Sequence, residues 1–293
     1  MDRLFTGSGV ALVTPFLDGE VDWAALEQLV DLQLAGGTDA LVPCGTTGEP
    51  STLSSDEHDA VVKFVVERVA GRVPVIAGAG SNSTAAAATK ANKMQDLGAD
   101  GVLIVTPYYN KCTQNGLRQH FEAVADAVQV PVIMYNVPSR TGVNLAPHTA
   151  EQLSEHPNIW GLKEACGDLG QVQELFRRCR GKLPIYSGND DQVYALLALG
   201  GDGVISVAAN VAPKRMHELV QSYRDGQHEQ ALQLQEELAG LIDQLFTEVN
   251  PIPVKAALSM MGLIRDELRL PLTELSAKHR PSLKWELENL GLA

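Results

Sequence analysis

Residues 101–137 read GVLIVTPYYN KCTQNGLRQH FEAVADAVQV PVIMYNV, and this stretch contains the repeating unit of the whole chain. Gly101–Thr106 is a short, nearly unbroken apolar run, Asn115–Val128 has helical period, and Val130–Val137 is apolar again. Runs without polar alternation are what strands buried on both faces look like, which is the parallel-sheet case. Outward from this unit, similar runs lie at Gly9–Phe16, Ala40–Cys44, Val73–Gly78, Ile159–Ala165, Leu183–Ser187 and Gly203–Ala208. The spacing predicts helices after them at Asp22–Ala35, Ser54–Ala70, Thr84–Leu97, Pro147–His156, Asp168–Arg180, Asp190–Leu199 and Pro213–Arg224. Ser54 with Glu57 three residues on fits a capping box, and Pro147 and Pro213 suit first-turn positions. Eight such units, with no Gly-x-Gly-x-x-Gly after the first strand, favour a closed (β/α)8 TIM barrel over a doubly wound sheet.

The barrel is expected to occupy residues 1–225, and a C-terminal helical appendage, 226–293, to pack on it. Three helices are predicted there: His228–Thr247, Pro253 to about Gly262, and one near the C-terminus. The 293 residues are 45% hydrophobic and 20% charged, with 23 basic against 36 acidic residues and a net charge of −13. An acidic chain without a basic run is a poor partner for nucleic acid or an anionic membrane. No apolar run is long enough to span a bilayer, and the N-terminal MDRLFTGSGVALVTPF lacks the apolar core of a secretory signal. Four solitary cysteines, 44, 112, 166 and 179, read as reduced thiols, so a cytoplasmic setting is expected.

In such barrels chemistry sits at the C-terminal strand ends. None of the seven histidines falls there, which argues against a metal site and against a Ser-His-Asp triad. Lys163 stands out because it alone among ten lysines lies inside an apolar strand, Ile159–Ala165. Strand period puts Ile159, Gly161, Lys163 and Ala165 on one face and Glu164 on the other, so Glu164 need not neutralise the ammonium. Gly161 and Ala165 are small and expected to leave room beside it. Burial of an unpaired ammonium favours the neutral amine, as a Schiff-base nucleophile requires. The competing reading is a lysine that reaches the rim or pairs with another strand.

Tyr135, ending the adjacent strand, is a candidate proton carrier, though also an ordinary aromatic for a barrel mouth. Thr46-Thr47 between glycines offers hydroxyls and open N–H groups for a small carboxylate, or is simply a strand–helix turn. Arg140 is able to fork onto a substrate carboxylate, or to sit in solvent. Gly78-Ala79-Gly80-Ser81 lacks the lysine and spacing of a phosphate loop.

These residues occur in blocks: Gly45-Thr46-Thr47-Gly48-Glu49, Thr106-Pro107-Tyr108-Tyr109-Asn110, Tyr135-Asn136-Val137-Pro138-Ser139-Arg140-Thr141-Gly142, Lys163-Glu164-Ala165, Gly203-Val204-Ile205-Ser206-Val207 and Asn250-Pro251-Ile252-Pro253-Val254-Lys255. With them the whole chain resembles the dihydrodipicolinate synthase family of pyruvate-dependent class I aldolases. The resemblance implies condensation of pyruvate with L-aspartate 4-semialdehyde through an imine on Lys163, feeding diaminopimelate and lysine synthesis without a cofactor. It implies that Tyr135 shuttles protons with Thr46 and with Tyr109 of a neighbouring subunit. Thr47 and the backbone at Ile205 would hold pyruvate, and Arg140 would take the semialdehyde carboxylate. A homotetramer, a dimer of dimers, is implied as well. Arg140 in its block sets the chain apart from sialic-acid lyases and keto-deoxy-sugar aldolases, the alternative within the same chemistry. A non-catalytic keto-acid-binding regulator is the alternative of another class. In lysine-inhibited relatives a glutamate on the third helix meets the inhibitor's ammonium. Here Ala86 stands at that position and Ser55 replaces a histidine, while Asn82, His58 and Tyr108 match.

Overall fold

The computed structural model describes residues 3–293; Met1 and Asp2, at the head of the N-terminal stretch read above, lie outside them. Eight parallel strands form the barrel: β1 (Gly7–Ala11), β2 (Ala40–Val42), β3 (Ile76–Gly78), β4 (Gly101–Val105), β5 (Val132–Asn136), β6 (Ile159–Glu164), β7 (Ile185–Ser187) and β8 (Gly203–Ser206). Each pairs with the next, β8 returns to β1, and a parallel bridge from Leu41 to Val75 closes the ring between β2 and β3. Inside lies a compact plug that includes Val42, Ile76, Leu103, Ile133, Tyr186 and Ile205, whereas the larger apolar layer lies between strands and helices. Apolar residues on both strand faces therefore have two separate cores to fill.

The outer helices are α1 (Trp23–Ala35), α2 (Ser55–Val69), α3 (Thr84–Asp96), α4 (Gln114–Asp126), α5 (Pro147–Leu153), α6 (Leu169–Cys179), α7 (Val193–Leu199) and α8 (Pro213–Arg224). After them come α9 (His228–Leu245), α10 (Ile252–Met260) and α11 (Arg280–Asn289). Pro147 and Pro213 both open their helices, where a missing N–H costs nothing. The expected runs overshoot the strands by a few residues because apolar sequence continues into buried connections. A hairpin of Phe16–Leu17 with Glu20–Val21, one helical turn at Pro138–Thr141 and 3-10 turns at Thr46–Gly48 and Ala208–Asn210 lie outside the pattern. The stretch expected to be helical from Asp190 begins as a 3-10 turn, Asp190–Gln192, before α7.

Candidate active site

Register brings the first two candidates together. On neighbouring strands Tyr135 and Lys163 are cross-strand partners, and on its other side Lys163 pairs with Tyr186. Lys163 is 5% exposed, and its Nζ lies 4.4 Å from the Tyr135 ring centroid. Burial pulls its pKa down to about 8, with Arg140 adding to the fall and the Asp190 carboxylate opposing it. The ordinary ammonium is thereby turned into an amine available near neutral pH.

Glu164 points away, as strand alternation requires. It accepts from Asn136 Nδ2 at 3.0 and 3.1 Å and from the Cys166 N–H at 2.7 Å. The space beside Lys163 differs from expectation. A Cβ on Gly161 would come within 3.2 Å of the Tyr186 ring, so that glycine makes room for an aromatic plug. The clearance for the lysine comes instead from Gly188, where a Cβ would sit 3.1 Å from Lys163 Cε.

Burial raises the Tyr135 phenol to about 12, with Glu164 adding to the rise while Arg140 and a hydrogen bond from Thr46 oppose it. It is therefore protonated across the working range and able to donate. Thr46 and Thr47 form a 3-10 turn, Thr46–Gly48, directly after β2 and its short extension. Thr47 is buried, and its Oγ1 accepts from Asn250 Nδ2 at 3.0 Å. An accepting hydroxyl keeps its own proton free to donate elsewhere. Arg140 rides on the short helical turn after β5 and donates through Nη2 to the Asn250 carbonyl at 2.9 Å. Ile205 is buried in β8.

A cavity of about 390 Å³ opens at this end of the barrel, lined by Thr46, Tyr135, Arg140, Tyr108, Lys90 and Asn250 among others. Its size suits small organic acids. Lys163, Thr47 and Ile205 are not part of that lining, although Lys163 lies against Tyr135, which is. Gly78 and Gly80 line it too, but their Cβ positions would meet Cys44 O at 2.0 Å and Val105 N at 2.7 Å, so packing explains these glycines.

Tyr109 is not brought together with the others. It is 88% exposed, in a left-handed backbone conformation with φ of 72°.

Two residues at the site carried no role in the sequence reading. In the sequence Asn250 is only one member of a block, and its polarity next to prolines gives no hint of a contact with a turn 203 residues earlier. Asp190 is fully buried, and its Oδ2 accepts from the N–H groups of Val207 and Ala208 at 3.0 and 2.8 Å. Burial raises its pKa, while those amides and Lys163 oppose the rise. A helix-start aspartate is normally read as a cap, and that concealed it.

Residues 4–290 match the Dihydrodipicolinate synthetase family. The chain belongs to that family. A 4-hydroxy-tetrahydrodipicolinate synthase of Caldicellulosiruptor saccharolyticus is 54% identical over 290 residues, covering 99% of this chain and 98% of the relative. Among solved structures, the dihydrodipicolinate synthase of Thermotoga maritima superposes with a TM-score of 0.98 at 45% identity, covering 99% of this chain and 100% of that one. A monomeric dihydrodipicolinate synthase variant also superposes at 0.98, with 46% identity over 99% of this chain and 98% of the variant. The synthetase family thus accounts for the barrel and for the helices that follow it, since both lie within the matched span.

Proposed function

We propose that this enzyme condenses pyruvate with L-aspartate 4-semialdehyde to give 4-hydroxy-tetrahydrodipicolinate, with Lys163 as the Schiff-base nucleophile. The observation that carries the reading is the buried Lys163 amine, 4.4 Å from the Tyr135 ring centroid and lowered to about pH 8. The amine adds to the keto carbon of pyruvate, and the carbinolamine loses water to leave an iminium. Loss of a proton from the methyl carbon gives the enamine, which attacks the aldehyde carbon and forms the new C–C bond. The amino group of the adduct then displaces Lys163 and closes the ring, so one water is released overall and the lysine is regenerated.

Tyr135 and Thr46 are the proton carriers in this scheme, and Tyr109 of a neighbouring subunit completes them. Thr47 and the Ile205 backbone hold the pyruvate carboxylate, and Arg140 at the cavity rim receives that of the semialdehyde. Tyr109 in trans requires at least a second copy of the chain, and the family resemblance extends that pair to a homotetramer, a dimer of dimers. No helix of the described residues is long and apolar enough to cross a membrane, which agrees with small dissolved substrates.

Pyruvate with borohydride should fix a pyruvyl group on Lys163 alone, located by peptide mapping. An adduct on Lys255, or none, would falsify the mechanism. Turnover with aspartate semialdehyde but not with sugar aldehydes separates this synthase from a sugar-acid aldolase.

A further inference from the structure

Besides Lys163, only Lys255 stands in an apolar stretch of sequence, and the proposed chemistry does not use it. It lies on α10 with no exposed surface, its Nζ 2.5 Å from Glu49 Oε1 and 4.1 Å from the centroid of the Phe16 ring. Arg269 stacks on the same ring at 4.4 Å, and its backbone N–H donates to Glu49 Oε2 at 3.2 Å. Both ions are removed from water, and burial draws the Lys255 pKa down against the pull of Glu49. An apolar pair of similar volume is often as stable as a buried ion pair, so stability alone does not explain this one.

Its position suggests what it does. Glu49 closes the 3-10 turn of Thr46–Gly48 in a left-handed conformation, φ 51° and ψ 45°, with its N–H on Thr46 O at 3.3 Å. That conformation is uncommon for a residue with a Cβ and carries a cost that surrounding contacts offset. Thr14 Oγ1 holds Gly48 O at 2.8 Å, and the carboxylate of Glu49 is held by Lys255 and Arg269. Five residues before Lys255, Asn250 holds Thr47. The C-terminal segment thus grips the turn from both sides.

We propose that the Glu49–Lys255 pair is a positioning device for the reaction, fixing the turn so that Thr46 meets Tyr135 and Thr47 keeps its hydroxyl free. The proposal rests on the Schiff-base reading of Lys163. Lys255 is not part of the cavity lining, and Glu49, which is, has both carboxylate oxygens taken by Lys255 and the Arg269 N–H, so the pair acts through the two threonines.

The test is the double variant Glu49→Gln/Lys255→Met in the full chain, which removes both charges at similar volume. Circular dichroism and a thermal scan establish that it is folded, and kinetics are measured far below its unfolding midpoint. The expected result is retained borohydride labelling of Lys163 at saturating pyruvate, with kcat lower by about 10²-fold, the scale of a misplacement near 1 Å. Wild-type kcat and KM in the folded variant overturn the proposal. Should the double variant not fold, Glu49→Asp keeps both charges but draws the carboxylate back by one methylene. The expected result is then a lowered kcat with a near-normal unfolding midpoint, and unchanged kinetics overturn the proposal. Wild-type chain left unlabelled by pyruvate and borohydride would strike down the Schiff-base reading itself, whatever the variants do.

Discussion

Lys163 is the residue on which pH acts first. Its ammonium must lose a proton before it attacks a ketone, and burial sets that loss at about pH 8. The kcat/KM for pyruvate is expected to climb tenfold per pH unit below that value and to level off above it. Stability follows the same group with a definite sign. Between pH 8 and the unfolded value of 10.5 the unfolded chain binds the extra proton, so stability rises with pH across that window. A rate profile flat from pH 6 to 9 would contradict the depressed amine. The lysine was legible in the sequence because a charge inside an apolar strand conflicts with everything around it. Its neighbours were not. The approach of the Tyr186 ring to Gly161, and of Gly188 to Lys163, is set by the pairing register of β6 with β7, which the sequence of neither strand shows.

At the scale of single elements, α2 shows how local sequence suffices. Ser54 Oγ accepts from the Glu57 N–H at 3.2 Å, and Glu57 Oε2 accepts from the Ser54 N–H at 2.8 Å, the reciprocal capping box read from the spacing. Glu57 is also held by Arg269, whose guanidinium keeps the carboxyl down at about 2. Ser54→Ala should cost about 1 kcal/mol. A urea titration with unchanged slope and a lowered midpoint checks this, and kcat should not move. The eight strands were legible for a comparable reason: each must be apolar on both faces, and few other elements look so. The turn at Pro138–Thr141 was not, since four residues have no period to detect, although it carries Arg140. Nor could the pairing of Glu49 with Lys255 be read, because only closure of the fold brings residues 206 apart into contact.

The whole molecule adds what one chain leaves open. Tyr109 stands in solvent on a left-handed turn, while Tyr135 and Thr46 face each other in the barrel mouth. If a second copy supplies it, Tyr109→Phe should lower kcat by about 10²–10⁴-fold, the range of a lost acid–base group, with pyruvate binding little changed. An active monomer of this chain with normal turnover would refute the role. By the family resemblance, lysine inhibition would act beside Tyr108, the neighbour of Tyr109. The resemblance places the inhibitor's ammonium against a glutamate on α3, yet Ala86 stands there in the exposed first turn, and Ser55 is exposed at the start of α2. Lys90 lines the cavity nearby, and with burial it helps pull the His58 imidazole down to about 4, so the fixed charge there is positive. Asp59 carries the opposite sign but is already engaged by Lys93 at 3.8 Å. Removing one partner of a desolvated charge pair costs about 2–5 kcal/mol. At about 1.4 kcal/mol per tenfold, lysine binding should weaken by roughly 30- to several-thousand-fold. Saturating substrates with about 1 mM lysine, equivalent to about −4.1 kcal/mol of binding, should therefore leave the rate essentially unchanged. Strong inhibition at that concentration would mean that another carboxylate reaches the ammonium, and Ala86→Glu would then add nothing. With the rate unchanged in the native chain, Ala86→Glu should instead create measurable lysine sensitivity.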